Sequence, residues 1–187
     1  MELRDRRMML IDCETTGKYY FKNQILDLAI LCIEQGEVIG ELEIQIKHKE
    51  YLIDPEAMAI NGINLIEHEA TAVTTDIAVD QIIEFFEEYK QDDYPIMVGQ
   101  NVKFDIEFLK KLFESEYELE NFKELIGYKQ LDIMQLALIK NIEGKLKLES
   151  QSLDSILKAL DIPIPEGRHT AYIDCYLEYE VLKRLMF

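Results

Sequence analysis

The sequence predicts a mixed α/β fold, a central sheet flanked by helices, and three observations carry that expectation. Met8–Asp12 and Ile25–Ile33 are nearly continuous apolar runs, the second too short and too closely bounded by turn residues for a helix. Val38–Ile46 alternates Leu42, Ile44 and Ile46 with Glu41, Glu43 and Gln45, the period of a half-exposed strand. The remainder of the chain alternates helical spacing with short apolar runs.

Taken in order, the three strands have short links, the second a turn at Gln35-Gly36, and so predict an antiparallel meander. Ile60-Asn61-Gly62-Ile63 predicts a short helix closed by a turn. Ala78–Lys90 sets Ile82, Ile83, Phe85, Phe86 and Tyr89 at helical spacing, with its acids on the other side. Pro95–Gly99 reads as a short strand, followed by a helix from about Val102 to Phe113 with Asn101 as its cap. Gln130–Asp132 is a last strand end before a helix to about Lys140, and Ser152–Leu160 and Ala171–Met186 are the closing helices. Asn141–Gln151 is a polar, lysine-bearing loop. Without a repeat or a linker, residues 1–187 are expected to form a single domain.

Composition narrows the function. Hydrophobic residues at 48% exclude a disordered chain, and no apolar run approaches the ~20 residues that span a bilayer. The N-terminus lacks the apolar centre of a signal peptide. Cys13, Cys32 and Cys175 are widely spaced and odd in number, which predicts reduced packing cysteines and a cytoplasmic protein. A net charge of −17 argues against coating duplex DNA. Charges beyond roughly 8 Å are screened at physiological salt, so Lys18, Lys22, Lys103 and Arg168 can still form a local site for one strand end.

Three motifs carry the chemistry: Asp12-Cys13-Glu14-Thr15-Thr16-Gly17, Asn101-Val102-Lys103-Phe104-Asp105, and His169-Thr170-Ala171-Tyr172-Ile173-Asp174. Asp12 and Glu14 lie two apart on a strand and leave the same face. Asp105 opens a helix that follows another strand, and Asp174 sits in the last helix behind His169. Converged, each ionised pair would cost about 4 kcal/mol at ~4 Å and an effective dielectric of about 20. Apart from protonation, cations relieve that repulsion, and all-oxygen ligands select Mg²⁺ or Mn²⁺ over zinc. Two such ions suit an in-line displacement at phosphorus, with the His169 imidazole as proton acceptor.

In this order and at these distances, the motifs Asp-x-Glu-Thr-Thr-Gly, Asn-x-x-Phe-Asp and His-x-Ala-x-x-Asp resemble the DEDD superfamily of 3′→5′ exonucleases. The histidine subtype is meant, similar to the epsilon subunit of bacterial DNA polymerase III and to ribonuclease T. The resemblance spans about Met8 to Leu185 and implies a ribonuclease H-like fold and Mg²⁺-dependent release of nucleoside 5′-monophosphates from a 3′ end. It implies Asp12, Glu14, Asp105 and Asp174 as ligands of two Mg²⁺ ions, with Mn²⁺ able to substitute, and His169 as general base. Thr15, Thr16 and Gly17 would hold the terminal nucleotide, together with Asn101. The Met58–Ile63 region, with Met58 and Asn61, would line the terminal-base pocket. Asp132 is read as structural support. Departures from the family pattern are Gln100 and Asn61 where histidines are frequent, Lys18 where an apolar wedge is frequent, and Cys175 after the last acid. Tyr19, Tyr20 and Phe21 are expected to pack rather than stack on bases.

The resulting expectation is an exonuclease on the 3′ end of single-stranded DNA. An exoribonuclease and a non-catalytic, polymerase-associated binding module are the rival readings. The end of the chain just past the last helix favours a freestanding enzyme, although polymerase association stays open.

Overall fold

A computed structural model describes residues 6–165 and 170–186. Three long strands open the chain: β1 (Met8–Thr15), β2 (Ile25–Glu34) and β3 (Glu37–Lys47). They form the expected meander, with Leu10 opposite Leu31 and Leu28 opposite Ile44. Every residue of β2 except Glu34 is buried, as its unbroken apolar run requires for a strand covered on both faces. β3 alternates instead, because one of its faces meets water along most of its length.

The chain then gives α1 (Pro55–Asn61), α2 (Leu65–Thr71), the two-residue β4 (Val73–Thr74) and α3 (Thr75–Glu88). The helix expected at residues 60–63 therefore ends there instead. Asp54 caps its start by accepting from the Glu56 N–H, and Gly62, at φ 67°, closes its end. β5 (Ile96–Gly99) leads into α4 (Lys103–Ser115) and α5 (Leu119–Ile126); β6 (Gln130–Asp132) leads into α6 (Ile133–Ile142). α7 (Leu153–Ala159) and α8 (Ala171–Met186) complete the fold. Asn101 does not cap α4: Val102 is the N-cap, and Asn101 occupies the left-handed region at φ 60°. Its backbone N–H is held by the Asp132 carboxylate, which also caps α6 through the Met134 N–H, in keeping with a structural role for Asp132.

Among the described residues the strand order is β4-β3-β2-β1-β5-β6, with β5 parallel to β1 and β6 parallel to β5. The alternation of side chains splits the core in two. Met9, Ile11, Cys13, Leu28 and Ile30 meet α3, α4 and α5 on one face. Met8, Leu10, Ala29, Leu31 and Ile33 meet α6, α7 and α8 on the other. Asp12 and Glu14 continue the even-numbered row and so project toward the side of α8. The three cysteines are buried and free. Among the described residues, no helix is long and apolar enough to cross a membrane.

Candidate active site

β5 pairs with β1 only over Met8–Leu10, so the last residues of β1 run beyond it. Gly99 permits the close approach where the two part: a Cβ there would stand 2.8 Å from the Ile11 carbonyl oxygen. The chain turns at Gln100–Asn101 and enters α4, which delivers Asp105 to the end of β1 from the face opposite α8. Asp105 Oδ1 accepts from the Cys13 backbone N–H at 3.1 Å and from its thiol at 3.0 Å. Cys13 thus does more than pack, since its thiol and amide both fix a carboxylate.

From the other face, α8 brings Asp174. One carboxylate oxygen from each of Asp12, Glu14 and Asp174 lies within 4.8 Å of the others. Burial, then the negative charges of Glu178, Asp105, Glu14 and Asp174, push the Asp12 carboxyl well above the usual range. Burial likewise pushes Asp105 up to about 7, against the opposing pull of the Cys13 hydrogen bonds. All the donors are hard oxygens, and their mutual repulsion is what a divalent cation would relieve, so the residues fit Mg²⁺ or Mn²⁺. His169 lies outside the described residues, as does Arg168.

Glu178 is a carboxylate beside this cluster that the sequence reading missed. It is buried, lies one helical turn beyond Asp174 on the same face, and accepts from the Gln100 backbone N–H at 3.0 Å. The signal was available in α8, where the buried stripe Ala171, Asp174, Cys175, Leu182 and Leu185 has Glu178 in its middle.

The turn after β1 is built from the Thr-Thr-Gly run. Thr16 is buried, and its hydroxyl donates to the Leu52 carbonyl while its backbone N–H donates to that of Gln24. The Thr15 hydroxyl donates to the Gly17 carbonyl, and the Asn61 amide donates to the Thr15 carbonyl at 3.1 Å. The side chains of both threonines and of Asn61 therefore hold the loop together, while Met58 is half-buried in α1. A Cβ on Gly17 would stand 2.5 Å from the Asn23 side chain, which in turn donates to the Leu52 carbonyl and accepts from the Tyr19 N–H. Gly17→Ala should displace Asn23 and cost about 1–3 kcal/mol of overpacking, lowering the melting temperature by roughly 3–9 °C in a circular-dichroism melt.

Beyond this turn the expectation of packing fails for the aromatic run. Tyr19, Tyr20 and Phe21 are 47%, 42% and 68% exposed, in the loop that leaves the sheet at Gly17. Their rings contact one another, and Lys18 Nζ lies 5.6 Å from the Tyr19 ring centroid. A cleft of 380 Å³ opens between the α1–α2 turn and the start of α8, with Asn61, Ile63, Asn64 and Thr170 on its walls. Asp27, which faces Glu14 across the β1–β2 ladder, lines it too and accepts from His68 Nε2 at 2.9 Å. That hydrogen bond raises the His68 pKa, and His68 is accounted for as a buried, paired side chain.

The carboxylates also set a pH dependence. Asp105 is raised from its ordinary 3.8 to about 7 by burial. Its protonated form therefore adds stability that is fully present below about pH 4 and is lost as pH rises through about 7. Metal-free protein should lose stability across that window more steeply than Asp105→Asn, as read from urea midpoints at successive pH values. Equal slopes would show that Asp105 is not buried as described.

A six-stranded mixed sheet with helices on both faces and acids at the end of its central strand is a ribonuclease H-like fold. The exonuclease family (RNase_T) matches residues 9–182, and the chain belongs to that family. The DNA polymerase III PolC-type protein of Listeria innocua is 28% identical over 191 residues, covering 97% of this chain. The 3′-5′ exonuclease DinG of Staphylococcus saprophyticus is 30% identical over 105 residues, 56% of this chain. Among solved structures, E. coli Exonuclease I in complex with a dT13 oligonucleotide superposes with a TM-score of 0.79 at 20% identity over 95% of this chain. The chain spans 12% and 11% of the lengths of those two relatives and 40% of the Exonuclease I chain.

Proposed function

We propose that this chain is a metal-dependent exonuclease domain that removes nucleoside 5′-monophosphates from the 3′ end of single-stranded DNA. The observation that carries this reading is the convergence of Asp12, Glu14 and Asp174 within 4.8 Å at the end of β1, in a chain of the exonuclease family. Asp12, Glu14, Asp105 and Asp174 would hold two Mg²⁺ ions, with Mn²⁺ as a substitute. When bound, such ions supply charge stabilisation to the attacking and leaving oxygens of the displacement.

The other steps belong to the chain itself. Cys13 holds Asp105 in place through two hydrogen bonds to one oxygen. Thr15, Thr16 and Gly17 shape the rigid turn against which the terminal nucleotide is seated, and Asn61 braces it from α1. The cleft beside Asn61 and Thr170 would take the terminal base, with Met58 in the adjoining helix and Asn101 as further substrate contacts. His169 would take the proton of the attacking water, a role that the reference pKa of an imidazole, near 6.5, suits at neutral pH. The exposed rings of Tyr19, Tyr20 and Phe21 offer stacking surfaces for bases upstream of the end.

DNA is favoured over RNA because the structural neighbour was solved with a dT13 oligonucleotide and the PolC-type relatives are DNA polymerases. Those relatives also favour a second reading of context, in which the domain works beside a polymerase: the match runs through 97% of this chain inside a PolC-type protein. A binding module without catalysis would have no use for buried carboxylates that repel one another.

The test is a time course on 5′-labelled DNA and RNA strands of matched sequence with Mg²⁺ or Mn²⁺. A ladder shortening from the 3′ end, faster on DNA, is expected. Faster loss of RNA would transfer the assignment to an exoribonuclease, and no cleavage of either strand would favour the binding module.

A further inference from the structure

We infer that Glu178 is a positioning residue that locks the two helix-borne carboxylates, Asp105 and Asp174, into one spacing. The inference rests on the metal-dependent reading above and adds a residue to it. Asp174 arrives on α8 and Asp105 on α4, and these helices cover opposite faces of the sheet. Nothing in either helix alone fixes their separation.

Glu178 supplies the connection. Its side chain is 1% exposed, and its Oε2 accepts from the Gln100 backbone N–H at 3.0 Å. Gln100 begins the turn that enters α4. The next residue, Asn101, sits at φ 60° with its N–H on Asp132 Oδ1 at 3.1 Å, and its carbonyl accepts from Phe104 N–H at 2.8 Å. The Gln100 side chain is tied down as well, donating to the Gln151 carbonyl at 2.6 Å. Two carboxylates therefore grip successive backbone N–H groups of one left-handed turn. Asp132 anchors that turn to α6, and Glu178 anchors it to α8. Since Glu178 is one helical turn from Asp174, a shift of α8 moves the turn that carries Asp105 with it.

An acceptor at this place is costly to omit, because Gln100 is half-buried and a backbone N–H that loses its partner away from water is destabilising. When ionised, a glutamate also adds negative charge beside Asp12 and Asp105, which a neutral acceptor would not. The two properties can be separated. Glu178→Gln keeps the reach and an acceptor oxygen but loses the charge. Glu178→Asp keeps the charge but is one methylene too short for the Gln100 N–H.

The experiment is calorimetric Mn²⁺ titration of the parent and both variants, with Mn²⁺ and DNA concentration dependence of cleavage measured in parallel. Glu178→Asp is expected to weaken Mn²⁺ binding by about 10–100-fold, as for other residues that orient metal ligands, with KM for DNA unchanged. Glu178→Gln is expected to bind within about threefold of the parent. Weak binding by Gln with normal binding by Asp would overturn the inference in favour of the charge itself. Parent-like binding by both, or equal loss by both, would overturn it too. A parent that binds Mn²⁺ but cleaves nothing would sink the exonuclease reading while the titration still decides on Glu178. A parent that binds no Mn²⁺ would remove both.

Discussion

Asp12→Ala is expected to lower 3′-end cleavage of a 5′-labelled single strand by at least about 10³-fold while making the metal-free protein more stable. The first effect follows from removing a ligand of a site worth several kcal/mol of transition-state stabilisation, at 1.36 kcal/mol for each factor of ten. The second follows from the charges around it. Burial and four neighbouring carboxylates raise the Asp12 pKa, so its ionised form works against the fold when no cation is present. Millimolar Mg²⁺ should raise the parent's melting temperature, since a ligand that binds only the folded state stabilises it, and that rise should vanish in the variant. Differential scanning fluorimetry with and without metal, beside the cleavage assay, reads both. An unchanged melting temperature for Asp12→Ala together with no metal response in the parent would contradict a clustered cation site.

His169→Ala is expected to cut turnover by about 10²–10⁴-fold, the range for loss of a general base, and to leave metal-induced stabilisation intact. The parent's rate should rise with pH through the range around the ordinary histidine pKa of about 6.5, where the imidazole becomes a proton acceptor. The variant should lack that rise. Single-turnover rates between pH 5.5 and 8.5 would show it, and full activity in the variant would take His169 out of the mechanism. The contrast with Asp12→Ala separates holding a cation from moving a proton.

Much of the architecture is written in local pattern. The strand pairing of β1, β2 and β3 follows from apolar runs and alternation, and Gln130–Asp132 and Ala171–Met186 end where their residues suggest. What escaped was short or depended on contacts. α2 and β4 are seven and two residues long, with too few apolar positions for a period to emerge. α5 buries Phe122, Leu125 and Ile126, a stripe too brief to stand out beside its polar neighbours. Asn101 resembled a helix cap by type and place, yet its neighbour Val102 takes the N-cap position, while Asn101 sits in the left-handed region with its N–H on Asp132. Tyr19–Phe21 resembled core by composition, and only the path of the loop beyond Gly17 leaves the rings in solvent.

The sequence by itself determined the chemical inventory: which acids lie on one strand face, which residues open the helices behind them, and the family that their order marks. Spacing along a chain fixes such relations because strand and helix periods are local properties of the backbone. The tertiary structure alone decided how close those acids come, that the Cys13 amide and thiol grip Asp105, and that Glu178 joins the set from within α8. Those facts depend on two helices packed on opposite faces of a sheet, and the distance between them is set by the whole core rather than by any segment of it.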